Sequence, residues 1–509
     1  MNDRNVFKDY CSEEDFAKLV PLANIVELLE KVENEYSEKV AVITNDGNVT
    51  YQQLCDDTKS VVAALKANEV IVKTNVGVIG PNNYNFTKAA LGATAYGCVA
   101  TLLPVQLDEK TIYGCCMKYN LTVLLYDESV EAKVQFAKNA IPNVKFIKIV
   151  DFKEEYGLGE YNPNIEVTDS ACIVMTGGTT GRSKGAVLSH RALMTGVLNG
   201  TYGVPDIFDQ VYYSIMPLTH VFGFIRNLLT CFYTGSSIFF AGDRMAMFKE
   251  IQKVQPTILI VVPALAEIFL NLTKQFCLKM LGGKVKTIIC GGASVSPYII
   301  TEFREFGVNC CPGYGLTESA NLVSGNPNPN KPTSVGIIYP DLDTKVVNGE
   351  LWLKGPNMMD GYYNEPEENA NAFEDGWFKT GDLVRFDEEG YLYITGRIKD
   401  IIVLANGENV SPAYLEDKLN EMVPVIQDSL VYDDVNEYGA EQLIVEVTLR
   451  PALVAKLGEI DIQKYMEERL EEFNKTVYDY EKISKIIIRK EDFPRTASMK
   501  IIRKKRALL

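Results

Sequence analysis

Apolar runs alternate with amphipathic segments in the first half of the chain. The runs VAVITN (40–45) and VGVIG (76–80) are each followed by a stretch with apolar residues at helical spacing. Thr50 is placed to cap the first of these helices, whose buried face includes Leu54 and Leu65. Continuous apolar strands separated by helices predict a parallel sheet that is covered on both faces.

The same alternation continues further along the chain, at LTVLLYD (121–127), VKFIKIVD (144–151), TILIVV (257–262) and VKTIIC (285–290). After about residue 335 the pattern changes to short strands separated by turns, such as GELWLKG and GYLYITG. Such short, turn-bounded strands predict antiparallel hairpins. We therefore expect the large α/β part to carry a small antiparallel β subdomain.

From Asp400 onward the pattern predicts a small α+β unit. It consists of a helix beginning at Ser411-Pro412, strands near 426–432 and 442–449, a helix near 461–474 and a strand near 483–489. The predicted fold class is α/β, with parallel sheets flanked by helices in a large N-terminal domain and a small C-terminal α+β lid. The predicted boundaries are 1–396 for the large domain, 397–400 for a hinge and 401–509 for the lid. One continuous domain is the alternative.

Charge and rare residues narrow the function classes. The 509 residues carry 51 Lys plus Arg against 67 Asp plus Glu, a formal net charge of −16, which argues against a nucleic-acid-binding protein. Eleven cysteines without a CxxC pair and only two histidines argue against a zinc site and suit a reducing cytosol. The first residues lack the apolar core of a secretory signal, and the longest apolar run, Thr257 to Leu270, is too short to span a bilayer. We expect a cytoplasmic protein.

A glycine- and threonine-rich loop, Met175-Thr-Gly-Gly-Thr-Thr-Gly-Arg-Ser-Lys-Gly185, directly follows the strand-like run ACIVM (171–175). Its glycines let backbone N–H groups turn inward as an anion nest, its hydroxyls add donors and its lysine adds a positive charge. It differs from the GxxxxGK[ST] loop, because glycine and alanine follow the lysine. The loop predicts nucleotide binding, with an ordinary flexible turn as the alternative. The candidate phosphate-binding residues are Thr176, Gly177, Gly178, Thr179, Thr180, Gly181 and Lys184.

Six further motifs follow in order along the chain. They are Pro217-Leu-Thr-His220-Val-Phe-Gly223, Gly291-Gly-Ala-Ser294, Gly313-Tyr-Gly-Leu-Thr-Glu-Ser319, Trp377-Phe-Lys-Thr-Gly-Asp382, Gly396-Arg397-Ile-Lys399-Asp400 and Pro494-Arg-Thr-Ala-Ser-Met-Lys500. With the glycine-rich loop, this set resembles the adenylate-forming superfamily of acyl- and aryl-CoA synthetases, and it is most similar to long-chain fatty acyl-CoA synthetases. The resemblance implies that a carboxylate attacks the α-phosphate of ATP, which releases pyrophosphate and forms an acyl-adenylate. A thiol such as that of CoA then displaces AMP.

The resemblance also implies a role for each matching residue. It assigns the adenine slot to Gly291, Gly292, Ala293, Tyr314 and Gly315. It assigns the α-phosphate to Thr317, Mg²⁺ to Glu318, the ribose hydroxyls to Asp382, and the region between ribose and phosphate to Arg397. Outside this context Asp382 would be a turn cap, Glu318 a surface carboxylate and Tyr314 a core aromatic.

Three more residues take their expected roles from the resemblance. Lys500 would bridge the attacking carboxylate and the α-phosphate, although Met499 precedes it where the family usually has glycine. His220 would lie at the entrance of the acid site, and Lys399 would be the hinge about which the lid rotates between the two half-reactions. His190 is expected to support the fold near the glycine-rich loop.

The acid and the acceptor are less well defined by the sequence. Amino-acid-activating relatives carry an aspartate after the histidine motif, and the stretch Val221-Phe-Gly-Phe-Ile-Arg226 has none, so we expect a substrate without an α-amino group. The run Ile402-Val-Leu-Ala-Asn-Gly-Glu-Asn-Val410 is similar to long-chain acyl-CoA and acyl-carrier-protein synthetases, and this resemblance implies a medium- or long-chain fatty acid. The basic cluster Arg503-Lys-Lys-Arg506 is expected to attract CoA or an acidic carrier protein. A solvated tail or weak contact with anionic lipid is the alternative reading of that cluster.

Three activities therefore stay open at the level of sequence. The first is an acyl-CoA ligase, and an aryl acid is a less favoured substrate for it. The second is an acyl-AMP or acyl-carrier-protein ligase, which differs from the first only in its acceptor. The third is a non-catalytic nucleotide-binding regulator.

Overall fold

The computed structural model describes residues 4–176, 183–242, 246–404, 408–436, 441–495 and 501–503. The helices in these ranges are α1 (Glu13–Lys18), α2 (Ile25–Tyr36), α3 (Tyr51–Ala67), α4 (Tyr84–Ala95), α5 (Glu109–Lys118), α6 (Glu131–Ala140), α7 (Phe152–Tyr156), α8 (His190–Asn199), α9 (Thr230–Tyr233), α10 (Met247–Val254), α11 (Pro263–Phe276), α12 (Pro297–Glu305), α13 (Pro366–Ala372), α14 (Pro412–Met422), α15 (Pro451–Val454) and α16 (Ile462–Asn474). A π-helix spans Phe222–Leu229. Short 3₁₀ turns lie at Arg4–Tyr10, Glu128–Val130, Leu278–Leu281, Thr317–Ser319, Ile398–Asp400, Ala455–Leu457 and Asp479–Glu481.

The strands of the described ranges form five sheets. They are β1 (Val40–Ile43), β2 (Val49–Thr50), β3 (Asn75–Ile79), β4 (Val99–Leu103), β5 (Leu121–Tyr126), β6 (Lys145–Lys148), β7 (Ser170–Thr176), β8 (Lys184–Ser189), β9 (Val211–Ser214), β10 (Ser237–Phe240), β11 (Ile258–Val261), β12 (Thr287–Cys290), β13 (Asn309–Tyr314), β14 (Ser324–Gly325), β15 (Ile337–Ile338), β16 (Asp343–Val347), β17 (Glu350–Lys354), β18 (Gly361–Tyr362), β19 (Phe373–Glu374), β20 (Trp377–Phe386), β21 (Leu392–Arg397), β22 (Ile402–Val403), β23 (Asn409–Val410), β24 (Ile426–Val435), β25 (Glu441–Leu449) and β26 (Ile483–Ile488).

Two large sheets form the centre of the fold. One has the order β15-β14-β13-β12-β11-β9-β10-β1-β2 and the other the order β18-β8-β7-β4-β3-β5-β6. In the first, the strands from β13 to β1 are parallel, and in the second those from β7 to β6 are parallel. The strands outside these runs pair antiparallel and close the sheet edges. The predicted parallel sheets flanked by helices are confirmed, with antiparallel edges that the apolar pattern did not reveal.

The helix after β2 shows why the sequence folds as predicted. The Thr50 hydroxyl accepts a hydrogen bond from the Gln53 backbone N–H, and the Gln53 side chain accepts one from the Thr50 backbone N–H. This reciprocal arrangement is a capping box. Leu54 and Leu65 of this helix are fully buried. The helix can approach α4 closely because position 92 is glycine, where a Cβ would lie 2.5 Å from the Val61 Cβ. Larger residues at 92 would push the two helices apart.

The second half of the chain contains the predicted antiparallel elements. Strands β16, β17, β20, β19 and β21 form one antiparallel sheet, which includes the GELWLKG and GYLYITG segments. Further on, β24 pairs with β25 antiparallel and β25 with β26 parallel, and α14 and α16 pack on them around a separate apolar cluster. Ser411 caps α14 as expected, and Pro412 occupies its first turn. The predicted α/β fold with a small C-terminal α+β unit is confirmed, and the division at 397–400 stays a prediction.

The cysteines of the chain form no disulfide bonds. All eleven cysteines are free, and eight of them are buried. Within the described ranges, no group of three or more His, Cys, Asp or Glu side chains could hold a metal ion. None of the helices in those ranges is long and apolar enough to cross a membrane.

His190 is a structural residue, in agreement with its expected role. It begins α8 and is buried, and its Nδ1 atom accepts a hydrogen bond from the Ile25 amide at 3.4 Å. Burial lowers the pKa of His190 to about 4, against a smaller opposing effect of the Asp169 carboxylate. The neutral imidazole thus ties α2 to the start of α8.

This burial predicts a loss of stability in mild acid. The folded pKa of His190 lies below the unfolded value of about 6.5, so its contribution is present above pH 6.5 and is lost as the pH falls towards 4. The full loss is about 3 kcal/mol. Thermal melts between pH 7.5 and 4.5 should show a shallower acid-induced decrease in melting temperature for His190→Gln than for the unmodified chain. His220→Gln, which removes the other histidine, is the control and should keep the original pH dependence. An equal slope for all three proteins would contradict this account.

Candidate active site

A cavity of about 440 Å³ collects residues from motifs that are far apart in the sequence. Strands β11, β12 and β13 are parallel neighbours, so their carboxyl ends meet at one edge of the sheet, where α/β proteins commonly bind ligands. The residues after β12 and at the end of β13 line the cavity, together with parts of the π-helix and the β20–β21 hairpin. The predicted site residues that line it are Thr176, Lys184, His220, Gly291, Gly292, Tyr314, Gly315, Thr317, Glu318 and Arg397.

The remaining predicted residues fall into two groups. Ala293 and Asp382 do not line the cavity, although Asp382 contacts two residues that do. The others lie outside the described residues; they are Gly177, Gly178, Thr179, Thr180, Gly181 and Lys500.

Asp382 is the most deeply buried acidic group beside the cavity, with 1% of its surface exposed. The Tyr314 hydroxyl donates a hydrogen bond to Asp382 Oδ2 at 2.5 Å, and Arg397 Nε lies 2.6 Å from Oδ1 as an ion pair. The register of the hairpin places Asp382 directly opposite Arg397. Burial, and then the Asp382 carboxylate, raise the pKa of Tyr314 well above its usual value, so the phenol remains a donor. The carboxylate thereby fixes the two side chains that form this wall of the cavity.

Glu318 lies on the 3₁₀ turn Thr317–Ser319 at another wall. Its Oε1 atom accepts a hydrogen bond from the Tyr362 hydroxyl at 2.7 Å, and its backbone carbonyl accepts the Met359 amide at 2.8 Å. The ammonium group of Lys184 lies 4.8 Å from the centre of the Tyr362 ring and forms an ion pair with Glu368. The Tyr362 side chain therefore connects the glycine-rich loop to the turn that carries Glu318.

Two glycines of the predicted adenine slot are required by geometry. A Cβ at Gly315 would lie 1.4 Å from the carbonyl oxygen of Asn321, so no other residue fits without moving the backbone. Gly292 has φ +84, a left-handed conformation that other residues adopt at a cost. Both positions let the backbone follow the cavity wall.

Several side chains in and beside the cavity were not predicted from the sequence. Tyr362 lies 44 residues after its partner Glu318, and no local pattern signals that contact. Lys118 donates to the Ser183 carbonyl at 2.9 Å and so supports the base of the glycine-rich loop. Arg226 also lines the cavity, and the pattern of its segment indicated only the absence of an acidic residue.

Contacts join the lid to the large part of the chain. Ser294 Oγ donates to Asp417 Oδ1 at 2.9 Å, and the buried Arg450 guanidinium forms an ion pair with Glu267 on α11. Lys399 lines the cavity from the predicted hinge, and burial lowers its pKa. The Ser294 and Arg450 contacts hold the lid in one position relative to α11 and to the segment after β12.

The structure describes one residue of the basic cluster. Arg503 forms an ion pair with the buried Glu416 carboxylate within the C-terminal α+β unit. The expectation that the cluster attracts CoA or an acidic carrier protein stays a prediction. Lys504, Lys505 and Arg506 lie outside the described residues.

Comparison with known proteins assigns the chain to a family. Residues 29–363 match the AMP-binding enzyme family model, and residues 399–507 match the model of the AMP-binding enzyme C-terminal domain. The chain belongs to the AMP-binding enzyme family. The predicted membership of the adenylate-forming superfamily is thus confirmed, and the chain is an enzyme of the AMP-forming ligase class.

The alignments with individual relatives cover most of this chain and most of each relative. The 4-coumarate–CoA ligase-like 6 of Arabidopsis thaliana is 31% identical over 84% of this chain and 80% of its own length. A long-chain-fatty-acid–CoA ligase of Yersinia pestis is 25% identical over 95% of this chain and 93% of its own. The crystal structure of the anthranilate CoA ligase AuaEII in complex with anthranoyl-AMP superposes with a TM-score of 0.82, at 19% identity over 94% of this chain and 95% of that one. The structural likeness supports the same fold.

The buried carboxylate predicts a strong effect on nucleotide binding. Asp382→Asn should weaken AMP binding at least about tenfold, because Arg397 loses its counter-ion and the wall loses its fixed geometry. Calorimetric titration with AMP measures this directly. Asp387→Asn is the matched control, since Asp387 is in the same hairpin but pairs with Lys331 outside the cavity, and AMP should bind it normally. Equal AMP affinity in both variants would show that Asp382 does not organise the nucleotide site.

Proposed function

We propose that the enzyme activates a carboxylic acid with ATP and transfers the acyl group to CoA. In the first half-reaction an acid oxygen bonds to the α-phosphorus and the bond to the β-phosphate breaks, which releases pyrophosphate. In the second, the thiol sulfur bonds to the acyl carbon and AMP leaves. The observation that carries the proposal is that six of the seven motifs contribute residues to one cavity, beside which Asp382 holds the Tyr314 and Arg397 side chains.

The first half-reaction brings one anion to another, so the site must supply positive charge and oriented donors. We assign the triphosphate to Thr176, Lys184 and the loop between them, and the α-phosphate to Thr317. We assign the nucleoside to Tyr314, stacked against the base, and to Asp382 and Arg397 at the ribose. Lys500 would bring its ammonium group between the acid oxygen and the α-phosphate.

Glu318 is the residue we propose to hold Mg²⁺. Its carboxylate lines the cavity, and its Oε1 atom is held by the Tyr362 hydroxyl. A single carboxylate suits Mg²⁺, which keeps several waters and takes phosphate oxygens as further ligands. When bound, the ion supplies charge neutralisation at the phosphates. Glu318 would orient the ion, and Tyr362 would orient Glu318.

A rotation of the lid is proposed to separate the two half-reactions. Lys399, in the segment 397–400, is the expected pivot, and the movement would withdraw Lys500 and bring the Asn406-Gly-Glu-Asn409 loop towards the thiol. Such a rotation must break the Arg450–Glu267 ion pair and the Ser294–Asp417 hydrogen bond. These contacts therefore define one of the two lid positions.

The proposals for the acid and for the acceptor rest on different grounds. The relatives reported above are named for coumarate, long-chain fatty acids and anthranilate, so they do not single out one acid class. A medium- or long-chain fatty acid is the proposal that the sequence motifs favour. CoA is the proposed acceptor, because those relatives are named as CoA ligases, and an acyl carrier protein is the alternative to test.

Product analysis tests the proposed reaction. Incubation with ATP, Mg²⁺, CoA and a panel of alkyl, aryl and dicarboxylic acids should give AMP, pyrophosphate and an acyl-CoA for at least one acid, detected by mass spectrometry. Acyl-AMP that accumulates despite CoA would point to a carrier-protein acceptor. Failure to release pyrophosphate with any acid would favour a nucleotide-binding regulator and contradict the proposal.

Lys500 gives a second test. Lys500→Ala should lower acid-dependent pyrophosphate release at least about 100-fold, because the ammonium group that neutralises the approaching anions is lost. Thioester formation from supplied acyl-AMP should change far less, since that half-reaction does not use it. Lys485→Ala removes an exposed lysine of β26 and should affect neither step. Equal losses in both half-reactions for Lys500→Ala would contradict the assigned role.

A further inference from the structure

Arg226 is a buried cation at the cavity. It belongs to the π-helix Phe222–Leu229, which directly follows His220, and its side chain lines the cavity together with those of His220 and Phe222. Only 2% of the residue is exposed. The guanidinium is therefore shielded from bulk water, but it adjoins the cavity that would receive the substrate.

The Arg226 charge has no counter-ion among the residues that the structure describes. None of their carboxylates forms an ion pair with it, and Nη1 is buried without a hydrogen-bond partner. The groups near it are the hydroxyls of Tyr212 and Tyr339 and the thiol of Cys311. Burial raises the pKa of each of these groups and the guanidinium lowers it in part, with a net raised value of about 12 for Tyr339 and for Cys311. The surroundings of Arg226 are therefore neutral at physiological pH.

A second buried arginine shows what Arg226 lacks. Arg450 forms an ion pair with Glu267, and its Nη1 atom donates to the backbone carbonyl of Pro424 at 2.6 Å and also to that of Ile426. Buried charges in folded proteins are normally compensated in this way, because desolvation without a partner is costly. An arginine that is equally buried, lines a cavity and has no carboxylate partner among the described residues is a candidate site for an anion.

We infer that Arg226 binds a second, distal carboxylate of the acid substrate. The inference rests on the proposed acid-activation function and names the class of acid. The guanidinium offers two coplanar N–H donors that match the two oxygens of a carboxylate. The resulting ion pair would be strong in a site without water. The substrate carboxylate that reacts would lie towards Thr317 and the nucleotide, and the distal carboxylate would lie at Arg226.

This inference replaces the monocarboxylic fatty acid that the sequence motifs favour with a dicarboxylic acid. An alkyl tail at Arg226 would leave the guanidinium against methylene groups with no hydrogen-bond acceptor, which disfavours its binding. A dicarboxylic acid satisfies the same group and leaves its first carboxylate free to react. Short- or medium-chain dicarboxylic acids are therefore favoured over monocarboxylic acids of the same length.

Kinetics with matched acids test the inference. Acid-dependent pyrophosphate release is measured for α,ω-dicarboxylic acids of four to eight carbons, for their monomethyl esters and for monocarboxylic acids of equal length. The unmodified enzyme should show a kcat/KM at least about 100-fold higher for the best diacid than for its monoester or matched monoacid. Hydroxylated aryl acids such as 4-coumarate should also be used poorly. Comparable rates for diacids and for any of these other acids would overturn the inference.

Variants of Arg226 test whether its side chain causes the preference for diacids. Arg226→Met should lower the ratio of diacid to monoacid kcat/KM at least about 100-fold, mainly through a higher KM for the diacid, and Arg226→Lys should restore part of the ratio. Arg385→Met is the matched control, because Arg385 stacks on the Tyr393 ring and does not line the cavity, so the ratio should be retained. An unchanged ratio in Arg226→Met would overturn the inference. If Arg226→Met does not fold, the comparison of acids with the unmodified enzyme decides.

The outcomes separate this inference from the proposed function. Pyrophosphate release with monocarboxylic acids alone would overturn the role of Arg226 and leave acid activation intact. No release with any acid would overturn both. Release that requires the distal carboxylate would support both.

Discussion

The buried Asp382 carboxylate is the interaction on which the cavity depends. It lies between the Tyr314 hydroxyl and the Arg397 guanidinium and joins the end of β13 to the β20–β21 hairpin. A carboxylate removed from water is stable only when its partners are correctly placed. The large sheet and the antiparallel sheet must therefore meet in one arrangement, and that arrangement forms the proposed nucleotide wall before any ligand binds. Such preorganisation avoids reorganisation when the reaction occurs.

The two arginines of the cavity are electrostatically unlike each other. Arg397 is neutralised by Asp382 and contributes a fixed shape with little net charge. Arg226 has no such partner among the described residues, so it presents an uncompensated charge to the cavity. The proposed site thus combines a preformed wall for the nucleotide with a cationic group to which we assign an anion of the substrate. On this account, the wall around Asp382 serves the reaction common to the family, and Arg226 determines which acid is chosen.

Much of the fold followed from local patterns, and the exceptions share a physical cause. The alternation of apolar strands and helices, the Thr50 cap and the helix at Ser411-Pro412 all depend on neighbouring residues, and the structure confirms them. The Tyr362–Glu318 contact joins residues 44 apart, and the Arg503–Glu416 ion pair joins residues 87 apart. No periodicity encodes such contacts. Arg226 was visible in the sequence, but its importance arises from burial without a carboxylate partner among the described residues, which only the tertiary structure reveals.

The most direct test of the account is the affinity for a stable mimic of the acyl-adenylate. Isothermal calorimetry would compare 5′-sulfamoyladenosine with its N-acyl derivative that carries a distal carboxylate. If the cavity holds the nucleoside at the Asp382 wall and the acid towards Arg226, the acylated compound should bind at least about 1,000-fold more tightly, since it joins both parts of the intermediate. Equal affinity for the two compounds would contradict the account.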